Sequence, residues 1–144
     1  MKKFFALLAA LVCLPFISSA DDDYAIQFAQ LPAVSQTFVR THFDEKAVSY
    51  CMRDAHSFEV RFNDGVEVEF DYAGNWKEVD CKYKVVPASV LKLIPASIQT
   101  YVKSTFPKII ITKVNVKPWG YELELNNGLD VEFDKTGNFL RIDD

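Results

Sequence analysis

Histidine and cysteine are scarce in this 144-residue chain, at two and three residues, and the spacings that turn such residues into chemistry are absent with them. There is no His-x-x-x-His, no Cys-x-x-Cys, no Gly-x-Ser-x-Gly and no phosphate-cradling glycine loop, which removes the common zinc, dithiol, serine-hydrolase and nucleotide-binding classes. Basic residues are the minority, 16 against 20 acids for a net charge of -4. That balance disfavours nucleic acid or an anionic membrane as partner, because both are met by basic patches. Long apolar runs are confined to the first 20 residues. What the chain does have is apolar substance, 49% of its residues with twelve Phe among them, enough for the packed core of one domain.

Residues 1–20 read as a secretory signal peptide: Lys2 and Lys3, an apolar run from Phe4 to Leu14, a break at Pro15 and small residues Ser18, Ser19 and Ala20 before the expected cleavage. A membrane anchor needs a longer uninterrupted run of roughly 20 residues. Lipid attachment at Cys13 would place the bulky Val12 where a small residue is wanted. Removing the segment deletes two lysines and no acid and leaves the remaining chain at -6. A periplasmic location with no further membrane span is expected. Cys51 and Cys81 then stand in a compartment that permits disulfides. They form either a bridge or two small buried hydrophobes.

A self-match at a fixed offset of 63 residues organises the rest. Phe70-Asp71 and Gly74-Asn75 return as Phe133-Asp134 and Gly137-Asn138, Pro32-Ala33 returns as Pro95-Ala96, and 16 identities span the 50 ungapped pairs of 31–80 with 94–143. Each copy opens on a proline followed by a short helical pattern. Leu31, Val34, Phe38 and Thr41 share a face in the first, and Ile94, Ile98, Tyr101 and Thr105 in the second. Strict alternation follows: Phe58, Val60 and Phe62, an Asn63-Asp64-Gly65 turn, then Val66, Val68 and Phe70. The second copy repeats it around Asn126-Asn127-Gly128. These are hairpins with one dry and one wet face. Flanking strands are expected at 47–53 and 76–82, and at 110–117 and 139–143, with short helical turns near 24–30 and 87–93. The resulting expectation is α+β, two tandem helix-plus-four-stranded antiparallel units (21–83 and 84–144) joined in one compact domain, since about 60 residues alone bury only a marginal core.

The proline-opened helix, the Asn-x-Gly hairpin and the Phe-Asp-x-x-Gly-Asn turn, behind a signal peptide, resemble the PepSY-like, β-lactamase-inhibitor-like proteins of Bacteroides-type envelopes. The resemblance covers residues 24–144. It implies helices backing one face of a curved antiparallel sheet, similar to the β-lactamase inhibitor protein, whose concave sheet grips an enzyme. It brings no catalytic residue and no established inhibitory activity.

The residues themselves offer little chemistry. His42 ends the first helix, where a protonated imidazole suits the dipole, and His56 falls in a turn. Neither recurs in the second copy. Cys51 with His42 or His56 is the only candidate nucleophile pair, with Arg53 nearby to lower the thiol pKa. The wet hairpin face is more informative: Glu59, Arg61, Glu67, Glu69 and Asp71 in one copy, Glu122, Glu124, Asp130, Glu132 and Asp134 in the other, carry -8 together while the rest of the processed chain carries +2. Acids on an exposed sheet face serve solubility and block edge pairing; they also steer a basic protein surface into place. On the second reading Trp76, Trp119, Tyr72 and Phe139 are candidate anchors. Asp71 with Asn75 and Asp134 with Asn138 could supply part of a calcium shell, although Asp in such turns commonly caps the backbone. The sequence therefore points to a non-enzymatic binding module for a protein partner, a peptidase or hydrolase inhibitor or regulator, with a calcium or small-ligand sensor as the alternative.

Overall fold

The computed structural model describes residues 23–144, so the signal-peptide reading lies outside the described residues. Nine strands form one open sheet in chain order: β1 (Tyr24–Ile26), β2 (Val48–Arg53), β3 (Ser57–Phe62), β4 (Glu67–Asp71), β5 (Trp76–Asp80), β6 (Ile111–Lys117), β7 (Gly120–Leu125), β8 (Asp130–Asp134) and β9 (Phe139–Asp143). Every neighbouring pair is antiparallel. Helix α1 (Ala33–His42) lies between β1 and β2; α2 (Ala88–Leu91) and α3 (Ala96–Thr105) lie between β5 and β6. The architecture is α+β. Elements α1 and β2 to β5 begin 63 residues before α3 and β6 to β9, and β5 and β6 meet through Val79 opposite Val114, flanked by Glu78 opposite Asn115 and Asp80 opposite Lys113.

The alternation in the sequence becomes the two sides of the sheet. Val60, Val68, Phe70, Val79, Val114, Leu123, Val131 and Phe133 are fully buried on the side where α1 and α3 lie, each such side chain contributing about 1.5–3 kcal/mol on burial. Phe38 of α1 meets Phe70 edge-on at 5.6 Å and Tyr101 of α3 meets Phe133 at 5.5 Å. Helices of ten residues are marginal alone; these are held by that contact and by a tether at each N-terminus. Ser35 Oγ donates to the Gly74 carbonyl at 2.8 Å and Ser97 Oγ to the Gly137 carbonyl at 3.0 Å, docking each helix on the turn of its own hairpin.

Two expectations change, and one left open is decided. The inner stripe of α1 is Ser35 and Val39, not Val34 and Thr41: drawing Ser35 inward to Gly74 rotates Val34 out to 53% exposure. The expected helical turn at 24–30 is only its second half, a 3-10 turn at Phe28–Gln30, because Tyr24–Ile26 instead adds a ninth strand against β2. Finally, Cys51 and Cys81 are unbridged and buried. Cys51 sits on β2 and Cys81 just past β5, three inter-strand steps of about 4.8 Å apart, well beyond the roughly 7 Å between Cα atoms that a disulfide spans. They pack as small hydrophobes.

Candidate functional site

The helix-free side of the sheet is built from two rows of side chains that cross it strand by strand. One runs Met52, Glu59, Glu69, Glu78, Asn115, Glu122, Glu132, Arg141; the other runs Tyr50, Arg61, Glu67, Asp80, Lys113, Glu124, Asp130, Asp143. The second row is knitted by cations. Arg61 lies over the Tyr50 ring at 5.3 Å and reaches both Glu59 at 3.0 Å and Glu67 at 2.5 Å. Lys82 bridges Asp80 and Glu67 at 3.0 and 3.4 Å, and Lys113 reaches Glu78 at 3.4 Å. Partly exposed pairs of this kind contribute at most about 1 kcal/mol each, so their effect is to fix side-chain positions and neutralise charge locally.

The first row contains a conflict. Glu59, Glu69 and Glu78 stand directly opposite one another on three adjacent strands, an arrangement that like charges disfavour. Glu59 and Glu78 have cationic partners, whereas Glu69 has none among the described residues. Burial pushes the Glu69 carboxyl above its usual range, and Glu78, Asp54 and Glu59 push it further, against some relief from Lys77. The folded protein therefore holds this proton more tightly than the unfolded chain does, and stability falls as pH rises above the ordinary value of 4.5. Glu69→Gln is expected to raise the melting temperature at pH 7 by a few degrees, with the difference from the native protein fading below pH 4.5; an equal shift at both pH values in a thermal titration would remove the electrostatic account.

The remaining acids divide by environment. Glu132 is only 6% exposed and lies beneath Arg141, whose Nη2 donates to Oε1 at 3.2 Å and whose guanidinium lowers the carboxyl pKa. It is spent within the fold. Asp134 accepts the Asn138 and Thr136 amides at 2.9 Å each and the Asn138 side-chain amide at 3.1 Å, bonds that pull its pKa down to about 2. Asp71 accepts the Asn75 amide at 2.9 Å. Thus Asp71, Asn75, Asp134 and Asn138 work as turn caps, and among the described residues no group of three or more His, Cys, Asp or Glu is placed to hold a metal ion. Glu122, Glu124 and Asp130 carry no ion pair among the described residues and leave the β7–β8 part of the face open.

The aromatic residues expected as anchors do not gather with these carboxylates. Trp76 stacks on Phe38 of α1 at 5.8 Å and Phe139 on Tyr101 of α3 at 4.7 Å, which places both on the helix side. Trp119 caps the β6–β7 loop at 41% exposure. Tyr72 lies over Phe58 at 6.2 Å with the Arg53 guanidinium 5.5 Å from its ring. Sequence reasoning missed Glu78, Lys113 and Tyr50 as members of the face. Glu78 was within reach of the alternation of its strand, but the junction that brings Lys113 beside it joins residues far apart in sequence.

The nucleophile pair does not assemble. Burial pushes the Cys51 thiol up to about 11, the opposite of thiolate activation. His42 Nδ1 lies 2.8 Å from Ser89 Oγ and its ring 4.5 Å from Phe38; burial lowers its pKa, so a charged imidazole at the helix end is not what this site favours. His56 is exposed, and its backbone amide donates to Asp54 at 2.7 Å.

An open antiparallel sheet, helices along one side and a ladder of ionised side chains on the other define an α+β protein whose surface, rather than a cleft, is its distinctive feature. The chain belongs to the family described as "putative beta-lactamase-inhibitor-like, PepSY-like", matched over residues 56–141. It is similar to the crystal structure of a putative periplasmic protein of the DUF2874 family from Bacteroides vulgatus, with 37% identity, a TM-score of 0.78 and coverage of 87% of this chain and 99% of that one. It is also similar to a putative calcium-regulated periplasmic protein from Bacteroides thetaiotaomicron, at 38% identity and TM-score 0.78 over 85% and 98% of the two chains. A second Bacteroides vulgatus structure, a putative periplasmic protein of unknown function, matches at 35% identity and TM-score 0.77 over 85% and 99%. No curated protein matches the chain. The neighbours support a periplasmic location, and among the described residues no helix is long and apolar enough to cross a membrane.

Proposed function

We propose that the chain is a non-enzymatic periplasmic binding module, two copies of one helix-plus-four-strand unit joined edge to edge, that recognises a basic protein surface through its helix-free sheet face and inhibits or regulates a peptidase or other hydrolase. The observation that carries this reading is Glu69, a half-buried carboxylate without a cationic partner among the described residues, flanked by Glu59 and Glu78. A lysine or arginine arriving from a partner relieves that conflict, so the cost held in the free protein is returned on binding. Complementary charge of this kind acts chiefly on association rate and specificity. Glu122, Glu124 and Asp130 extend the same sign of charge across the second half of the sheet.

The test is affinity capture from envelope extract, with the protein recovered from the periplasm as bait, in parallel lanes containing calcium or a chelator. The expected result is one stoichiometric protein in both lanes, released by raised salt and captured less well by Glu69→Gln. Capture indifferent to both salt and Glu69 sinks the reading. A calcium-sensing role is the second reading, favoured by the neighbour described as putative calcium-regulated. It predicts a higher melting temperature in millimolar calcium than in chelator, as any ligand that binds only the folded state produces; equal temperatures end it.

A further inference from the structure

The two edges of the sheet are finished differently. At the first edge, β1 lies along β2 with Ile26 opposite Cys51 and Ala25 opposite Met52. This is the register that β5 takes along β6, where Val79 stands opposite Val114 and Glu78 opposite Asn115, so β1 fills the place of a preceding β5. At the other edge β9 stands in the β5 position, and among the described residues nothing takes the place of β6. The consequence is measured at one position: Val79 is 0% exposed, while Ile142, 63 residues on, is 41% exposed, beside Leu140 at 50% and Phe139 at 42%.

The backbone of β9 is directed to accept a strand. The Cys81 amide donates to the Thr112 carbonyl across the β5–β6 junction at 2.8 Å. Alternate residues of a strand turn their N–H and C=O to the same side, so Val79 also faces β6, and Ile142, its counterpart, turns its N–H and C=O away from β8. Ile142 pairs with Val131 on the helix side, whereas Arg141 pairs with Glu132 and Asp143 with Asp130 on the helix-free side.

We propose that β9 is an interaction surface for a second copy of this chain, pairing antiparallel with its own twin about a two-fold axis through Ile142. In that register the two Ile142 residues exchange both backbone hydrogen bonds and meet on the apolar side, while Arg141 of each copy stands opposite Asp143 of the other, twice, on the charged side. The segment is self-complementary in the way a two-fold interface requires. It also reproduces the internal junction, where the apolar Val79–Val114 pair is flanked by Asp80 opposite Lys113. Shifting the register by two residues in either direction loses both charge pairs. Five residues of edge pairing bury little area, which places the contact at the weak, transient end of specific association. The inference does not rest on the sheet-face reading: it takes only the last residue of each row, Arg141 and Asp143, at the β9 edge, and none of the carboxylates on which that reading turns.

Sedimentation velocity on the protein recovered from the periplasm, from about 10 μM to about 1 mM as suits a weak interface, is expected to show a reversible shift from monomer to dimer. Ile142→Pro removes the outward N–H, a position where edge strands tolerate proline, and is expected to abolish the dimer with the circular dichroism spectrum retained. Asp143→Lys turns both charge pairs repulsive and is expected to weaken association about tenfold. Register is tested by oxidation: Ile142→Cys brings two thiols onto a hydrogen-bonded pair with Cα atoms about 5.5 Å apart and is expected to form a covalent dimer. Leu140→Cys separates them by about 13 Å along the strands and is expected not to. A chain monomeric throughout, a Leu140→Cys variant that cross-links as fast as Ile142→Cys, or an Asp143→Lys variant that associates as well as the native protein overturns the proposal.

Discussion

Gly120→Ala is expected to cost about 4 kcal/mol of folding stability, combining positive-φ strain with overpacking, and to lower the melting temperature by roughly 15 °C. Gly120 opens β7 opposite Asp134 at φ +156, and a Cβ placed there would lie 2.0 Å from the Phe133 carbonyl oxygen and 2.8 Å from the Asp134 backbone. Those atoms belong to a paired strand and cannot move without opening the β7–β8 ladder. The cause is the loop before it. Lys117 pairs with Gly120, leaving a two-residue connection of Pro118 and Trp119. Proline fixes φ near -65°, whereas the primed turns suited to two-residue hairpins need positive φ at that place. The reversal is completed at Gly120 instead. Ser57, 63 residues earlier, already carries a side chain, so Ser57→Ala is expected to cost about 1.5 kcal/mol, the low end for a hydrogen bond to a carboxylate, here Ser57 Oγ donating to Asp54 at 2.7 Å in a partly exposed place. Thermal or urea unfolding of the two variants checks the contrast; equal losses would show that the backbone contact at Gly120 is not what sets the cost.

Replacing Glu59, Glu69 and Glu78 together by lysine is expected to reduce partner capture at low salt by at least about tenfold, an effect expressed mainly in the association rate. The row places three carboxylates side by side, and the reversal replaces attraction by repulsion at each. The neutral Glu69→Gln separates binding from stability: it is expected to weaken capture while raising the melting temperature at pH 7, because the carboxylate is costly to the free fold and useful only to the complex. Measuring rate constants at two salt concentrations for native and variant proteins decides it. If the triple lysine variant associates at the native rate at low salt, the face is not the contact surface.

The strands and helices were legible because each rests on local pattern. Period-two alternation at 58–70 and again at 121–133 assigns faces without reference to the rest of the chain, and a proline before each helix marks its start. Tyr24–Ile26 was not legible: three residues carry no period, and they become a strand only because β2 presents a vacant edge in the register that β5 occupies elsewhere. Val34 misled for a related reason. Its apolar side chain fits the helical stripe, but the Ser35 hydroxyl bonded to Gly74 sets the rotation of α1, and that bond spans 39 residues. The candidate face was half legible. Alternation located Glu59, Glu69, Glu122 and Glu124, while their pairing into rows, the covering of Glu132 by Arg141 and the displacement of Trp76 to the helix side depend on lateral register, which is a property of the sheet and not of any one strand.

The strand order has a mechanical consequence. Because β1 to β9 lie side by side in the order in which the chain runs, each strand bonds only to its sequence neighbours, and loop closures are short apart from the two that carry helices. Low contact order favours fast folding for the protein's size. Under tension applied between the chain ends, load reaches an edge strand first and breaks its hydrogen bonds one after another instead of shearing a whole ladder at once. The molecule is expected to peel inward from its two edge strands, β1 and β9, at low force, yielding in steps of one strand.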